Sequence, residues 1–310
     1  MSFTTNIKEE IARIPNSKSE SISELAGFLR NNGEYTIDSI DLITENATVA
    51  KRIYQLMKDI YDISCEIENR KGMNFSKNNL YLIMINDKVE FILKDLSIID
   101  ENEQYLETPD EYLLGSEEEI RAYLRGAFLA KGSINDPKTS RYHLEYLIEH
   151  KKEAELIKNL LNQFDLNSKV LNRDKGYMVY VKEAEKIGDF LRIISANQAV
   201  MYYEDIRIYR DHKNMTNRLN NCEQANIDKI IETATKQIAD IEYLKSNLGI
   251  DLLDEKTKQV MEYRQKYPEA SLLELSEIIT YETGKSITKS GLNHRFRKIK
   301  ELVSRMKDNN

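Results

Sequence analysis

The sequence predicts an α+β fold: two pseudo-symmetric α/β half-domains, then a helical linker and an all-α domain of helix-turn-helix type. Three observations carry this prediction. A run of helix, strand, helix, strand, strand, helix occurs twice, with a period of about 99 residues. Residues 201–250 are polar, with helical spacing and few breakers. Residues 285–310 hold 8 Lys/Arg against 2 Asp/Glu in a 310-residue chain whose net charge is −7.

The elements follow in order. Residues 3–13 read as a helix ending before Pro15. Ser19–Ser23 opens a second helix through "LAGFLR", which stops at Asn32-Gly33. "EYTIDSIDLITE" is rich in β-branched residues and reads as one strand. "ATVAKRIYQLMKDIYD" has helical apolar spacing, and "ISCEIEN" and "NNLYLIMIN" read as strands around the turn-rich "RKGMNFSKNN". A helix at about 88–97 closes the first unit, residues 1–110. The second unit, 111–200, repeats the order. "SEEEIRAYLRGAFLAK" is a helix with Ser116 and Glu119 in capping-box positions. "RYHLEYLIEH", "SKVLNRD" and "GYMVYVKE" are strands, and "KKEAELIKNLLNQFD" and "EAEKIGDFLRII" are helices. Residues 201–250 form the linker, a long helix or helix pair, and 251–310 the final domain.

Composition narrows the function classes. Hydrophobic residues are 41% of the chain, enough for a sizeable core. No run of apolar residues is long enough to span a membrane, and "MSFTTNIKEEIARIP" shows no secretory h-region. Cys65 and Cys222 form no paired motif, and 4 scattered histidines add no metal cluster, so no metal or cofactor is expected and a cytoplasmic location is. Charge is unevenly distributed: net −8 over residues 1–200, −5 over 201–284 and +6 over 285–310. An acidic body with a short basic end suits a small polyanion-binding element.

The central helices carry the internal repeat most plainly. "LAGFLRNNG" at 25–33 and "LRGAFLAKG" at 124–132 place Ser23, Gly27 and Asn31, and Ala122, Gly126 and Ala130, four residues apart on one helix face. Such stripes of small side chains let two helix backbones approach closely, so Gly27, Gly126, Ala122 and Ala130 are expected at a helix–helix seam joining the halves. These paired nonapeptides resemble the LAGLIDADG motifs of homing endonucleases. The resemblance implies two motif helices at a pseudo-dyad, curved sheets forming a saddle over DNA, and an acid at the eighth motif position holding a divalent metal. Here those degenerate catalytic positions hold Asn32 and Lys131. An amide and an ammonium cannot replace a carboxylate pair, so no catalytic residues and no cleavage by that route are expected. The saddle also looks poorly suited to phosphates: "EYTIDSIDLITE" has Glu34, Asp38, Asp41 and Glu45 and no base, although Lys169, Arg173, Lys175 and Lys182 lie on later strands.

Residues 254–305 read as three helices. Asp254 starts the first, which stops before Pro268; Ser271 and Glu274 form a capping box for the second, and Gly284 closes it. Thr288 or Ser290 caps the third, where Leu292, Phe296, Ile299 and Val303 face inward. This is a helix-turn-helix pattern, with the motif at about 271–304. Ser290, Asn293, His294 and Arg297 are the groove-side candidates, and Lys289, Arg295, Lys298 and Lys300 suit phosphates.

Two acid-less LAGLIDADG-like units followed by a helix-turn-helix resemble the WhiA family of Gram-positive bacteria. "LRGAFLAKGSINDPKTSRYHLE", "NRLNNCEQANIDKII" and "GKSITKSGLNHRFRKI" carry the resemblance. It implies a non-enzymatic, nucleoid-associated protein that binds double-stranded DNA and acts in cell division, chromosome segregation or sporulation through transcription regulation. The acidic repeat domain would then meet RNA polymerase, another regulator or division proteins. Lys131 departs from the small residue expected beside Gly132. Two alternatives stand beside this reading. One is a nucleoid or division scaffold working through protein contacts. The other is a metal-dependent endonuclease with carboxylates displaced to Glu24 or Asp136.

Overall fold

Serine caps decide where the two central helices begin. In the computed structural model, which describes residues 2–36, 38–71, 79–139, 141–248 and 253–308, Ser17 caps α2 (Lys18–Asn32) and Ser116 caps α5 (Glu117–Lys131). Both caps are complete boxes, closed by Glu20 and Glu119. The sequence alone places the start of α2 among Ser19–Ser23. Ser17 wins because Glu20 stands three residues after it and can return the second hydrogen bond.

The chain divides into two units, residues 1–210 and 211–310. In the first unit, α1 (Phe3–Ile11) precedes α2, and β1 (Gly33–Tyr35), β2 (Ile40–Thr44), α3 (Ala47–Tyr61), β3 (Glu66–Lys71), β4 (Asn79–Ile85) and α4 (Val89–Asp95) follow it. After α5 the order recurs as β5 (Gly132–Ile134), β6 (Leu144–Ile148), α6 (Lys151–Gln163), β7 (Lys169–Arg173), β8 (Gly176–Val181) and α7 (Ala184–Ile193). Each half carries one antiparallel sheet, ordered β1-β2-β4-β3 and β5-β6-β8-β7. The matching strand orders give the pseudo-symmetry that the repeat predicts.

Two further readings of local structure are corrected. "EYTIDSIDLITE" is not one strand but part of a hairpin, in which Glu34 pairs with Asp41. Thr36 turns the chain, its Oγ1 accepting the backbone N–H groups of Asp38 and Ser39. The first helix stops at Ile11, two residues short of the expected end, because Ala12 caps it. The centre of the turn read between β3 and β4, residues 72–78, lies outside the described residues.

One core fills the first unit, with Leu25, Phe28 and Leu29 of α2 and Leu124 and Phe128 of α5 fully buried. The helix seam is close at Gly27 and Gly126. A Cβ added to Gly126 would overlap the Glu24 carbonyl oxygen, and one added to Gly27 would overlap that of Tyr123. Ala122 is buried and Ala130 half-buried beside them.

The linker is a single helix, α8 (Asn197–Asn247), 51 residues long. Every residue from 211 to 229 is exposed, which matches the polar composition of that stretch. Its last turns enter the core of the second unit. There Ile241 and Leu244 pack with α9 (Glu255–Lys266), α10 (Leu272–Thr283) and α11 (Lys289–Asp308).

Candidate nucleic-acid interface

The second unit presents α11 through two local devices. Ser271 and Glu274 form the expected capping box on α10, and Gly284 ends that helix in the left-handed region at φ 68°. A side chain there would be strained, so glycine makes the turn possible. Of the two caps considered for α11, the structure uses Thr288, whose Oγ1 accepts the Gly291 N–H at 3.1 Å. Ser290 lies inside the first turn.

Leu292, Phe296, Ile299 and Val303 are buried and fix the rotation of α11. Ser290, Asn293, Arg297 and Lys300 recur at three- and four-residue spacing, so they share one face, and all four are exposed. Lys289, His294 and Lys298 are exposed beside them. Arg295 is half-buried and leans back on the helix cap of α9, with Nη1 3.6 Å from Asp254 Oδ1. Lys298 Nζ is 3.5 Å from the other Asp254 oxygen. Asp254 is held below the ordinary carboxylate range, chiefly by the Thr257 hydroxyl that donates to it, with Lys298 adding to the effect.

Arg264 is the residue that sequence reasoning missed here. It is only 1% exposed. Its Nη1 donates to the carbonyls of Ala270 at 2.6 Å and Tyr267 at 3.3 Å, and the guanidinium lies 5.5 Å from the Phe296 ring. It ties the end of α9 and the following loop to the inner face of α11. Burial lowers its pKa. A second brace joins α9 to α10. Glu282 accepts from Tyr263, Tyr267 and Lys266 at 2.9, 2.7 and 3.0 Å. These hydrogen bonds, Tyr267 first, bring its pKa from the ordinary 4.5 to about 2. A depressed carboxylate contributes stability above its unfolded pKa and loses that contribution as pH falls through the folded value. Acid unfolding of the second unit between about pH 4.5 and 2 should therefore flatten in Glu282→Gln, read by circular dichroism against pH. An unchanged acid limb would remove Glu282 from this role.

The helix ends in the first unit have a different chemistry. Asn32 substitutes for a peptide group: its Nδ2 donates to Ile43 O at 2.9 Å and its Oδ1 accepts from Ile43 N at 3.0 Å. Lys131 Nζ is 3.7 Å from Glu149. Glu24, one of the two displaced-carboxylate candidates, is fully buried. It accepts from Arg52, Arg125 and Asn16, each at 2.7 Å. Two guanidinium groups already neutralise it in the interior, and their charge would repel a metal ion there. Asp136 is half-buried and accepts from Tyr202 at 3.2 Å and from the Lys138 amide. Among the described residues, no group of three or more His, Cys, Asp or Glu side chains is placed to hold a metal.

The strand registers show which residues share the open face of each sheet. In the first, Glu34, Asp41, Glu66 and Glu68 lie together with the half-exposed Ile43, and Arg70 on that face is tied to Glu68 at 2.7 Å. In the second, Glu145 is joined by Lys169, Leu171 and Arg173.

The chain matches three known domain families along its length. They are the WhiA N-terminal LAGLIDADG-like domain at 18–99, the WhiA LAGLIDADG-like domain at 120–213, and the WhiA C-terminal HTH domain at 216–303. Proteins named probable cell division protein WhiA from Bacillus mycoides (strain KBAB4) and Bacillus cereus (strain G9842) are each 43% identical over 311 residues, covering 99% of this chain and 98% of theirs. The full-length WhiA crystal structure from Thermatoga maritima aligns with a TM-score of 0.59 at 24% identity. That alignment covers 98% of this chain and 99% of that one.

Proposed function

The chain belongs to the WhiA family, and on that premise we propose that it is a non-enzymatic, DNA-binding regulator of cell division. The observation that carries the reading is the exposed row Ser290, Asn293, Arg297 and Lys300 on a capped third helix whose opposite face is locked in a core. In this reading the start of α11 enters the major groove. Asn293 and Arg297 read base edges, because an amide and a guanidinium each form paired hydrogen bonds to adenine and guanine. Lys289, Lys298 and Lys300 hold phosphates and set the register, with Arg295 steadied by Asp254. The bound regulator controls transcription of genes for division, chromosome segregation and sporulation, and works at the nucleoid in the cytoplasm.

The absence of catalysis rests on the helix ends, where Asn32 and Lys131 stand in place of acids, and on the burial of Glu24. The acidic, partly apolar face of the first sheet supports a second role, as a surface for a protein partner such as RNA polymerase, another regulator or a division protein. Carboxylates facing a duplex would repel its phosphates.

Fluorescence anisotropy of the full chain on duplex DNA, taken from sites mapped across the genome, tests the reading. Affinity should fall linearly on a log–log plot against salt. Lys298→Ala should lower that slope by about 1 with little change in sequence preference, whereas Arg297→Ala should cost about 1–3 kcal/mol and relax preference at one base. A flat salt response, or full binding by both variants, would sink the assignment. Plasmid incubated with magnesium and the protein should stay uncut.

A further inference from the structure

A groove of about 1270 Å³ opens where α2 and α5 end. Its walls include Lys8 of α1, Lys131 of α5, and Asn46 and His150, the residues that open α3 and α6. We propose that this groove binds a small phosphorylated ligand that also carries hydroxyl groups, of the sugar-phosphate or mononucleotide class.

The argument begins with two ammonium groups. Lys8 is half-buried, with Nζ 5.8 Å from the Phe128 ring centre, and makes no hydrogen bond or ion pair among the described residues. Burial draws its pKa down to about 8, with Glu45 opposing the shift and Lys131 adding to it. The nearest carboxylate to Lys131 is loosely placed, at 3.7 Å, and belongs to the exposed Glu149. Lys8 without an ion pair and Lys131 with one loose partner repel each other across the groove, and an anion between them offsets that cost.

The helix starts point the same way. Asn46 and His150, the N-cap residues of α3 and α6, line this groove; Asn46 already accepts from the Thr48 and Val49 amides, whereas α6 has no side-chain cap on its first amides. A metal ion does not fit this set, since the ammonium groups repel it. A run of DNA phosphates does not fit either, because Glu34, Asp41 and Glu45 line the same groove. A single phosphate beside Lys8 and Lys131 meets less of that charge than a duplex would, and ligand hydroxyls can donate to the lining carboxylates, which also include Asp136 and Glu149. The volume suits a small molecule better than a lone phosphate ion.

Calorimetric titration of the full chain with inorganic phosphate, ribose 5-phosphate and ribose tests the proposal. Ribose 5-phosphate should bind saturably and about tenfold tighter than phosphate, and ribose should not bind. Lys8→Met keeps the apolar stem on Phe128, and it and Lys131→Ala should each weaken ribose 5-phosphate by about tenfold or more at unchanged melting temperature. No saturable binding at millimolar concentration, or equal binding by both variants, overturns the site. Equal affinity for phosphate and ribose 5-phosphate overturns the hydroxyl-bearing class. A loss of duplex binding in the two variants with sugar-phosphate binding intact overturns the choice of a small ligand over DNA.

Discussion

Gly126→Val is expected to lower the stability of the N-terminal unit by more than about 4 kcal/mol, read as a collapsed thermal transition for that unit while the C-terminal helices still melt. The size follows from what the new side chain would meet. At Gly126 it strikes the Glu24 carbonyl, with the Phe28 amide only 3.0 Å from the first carbon. Both are backbone atoms of α2, so no side chain can rotate away to make room. The helices cannot separate cheaply, because Leu25, Phe28, Leu124 and Phe128 are fully buried around the seam. Gly291→Ala provides the contrast. Its added carbon comes no closer than 3.4 Å to Thr288 Oγ1, and alanine is the better helix former, so a gain of about 0.5–1 kcal/mol is expected. If Gly126→Val melted like the parent chain, close backbone contact would not be what holds the halves together.

That contrast also shows what could be read from the sequence. A local rule had a local signal. The capping boxes at Ser116 and Ser271 and the inward row Leu292, Phe296, Ile299 and Val303 needed only spacing. So did the small-residue stripe, because it repeats about 99 positions later with the same period. The three-residue strands β1 and β5 were not legible, since three residues carry no periodicity. In the run "NSKSESIS" several serines offered themselves as caps, and only the spacing to Glu20 chose Ser17. Arg264 looked like any basic residue on a polar helix. Its burial depends on Phe296, 32 positions later. The groove at the helix ends was legible at Asn32 and Lys131 but not at Lys8. The position of Lys8 over Phe128 is a tertiary contact across 120 residues.

Glu24→Ala should cost about 3–5 kcal/mol, and Asp136→Ala less than about 1 kcal/mol, in denaturant unfolding of the same unit. Both carboxylates lie near the paired helices, and the difference comes from what they hold. Asp136 is half-buried, and its loss leaves only groups that water can reach. Removing Glu24 leaves Arg125, 3% exposed, without its carboxylate, and leaves Arg52 with a buried nitrogen that already lacks a partner. An uncompensated buried cation is costlier than a lost surface contact. The other half solves the same problem with different residues. A shift of about 99 positions brings Glu24 onto Tyr123, whose hydroxyl donates to Glu153 at 2.6 Å. Glu153 in turn holds Arg30 of the first half at 3.1 Å, as Glu24 holds Arg125 of the second. Each half thus sends one arginine from its central helix to a buried carboxylate of the other. These two reciprocal pairs fasten the dyad without a metal ion at the helix ends, which leaves those ends free to carry Asn32 and Lys131. Equal stability losses in Glu24→Ala and Asp136→Ala would show that the buried pairs do not fasten the halves.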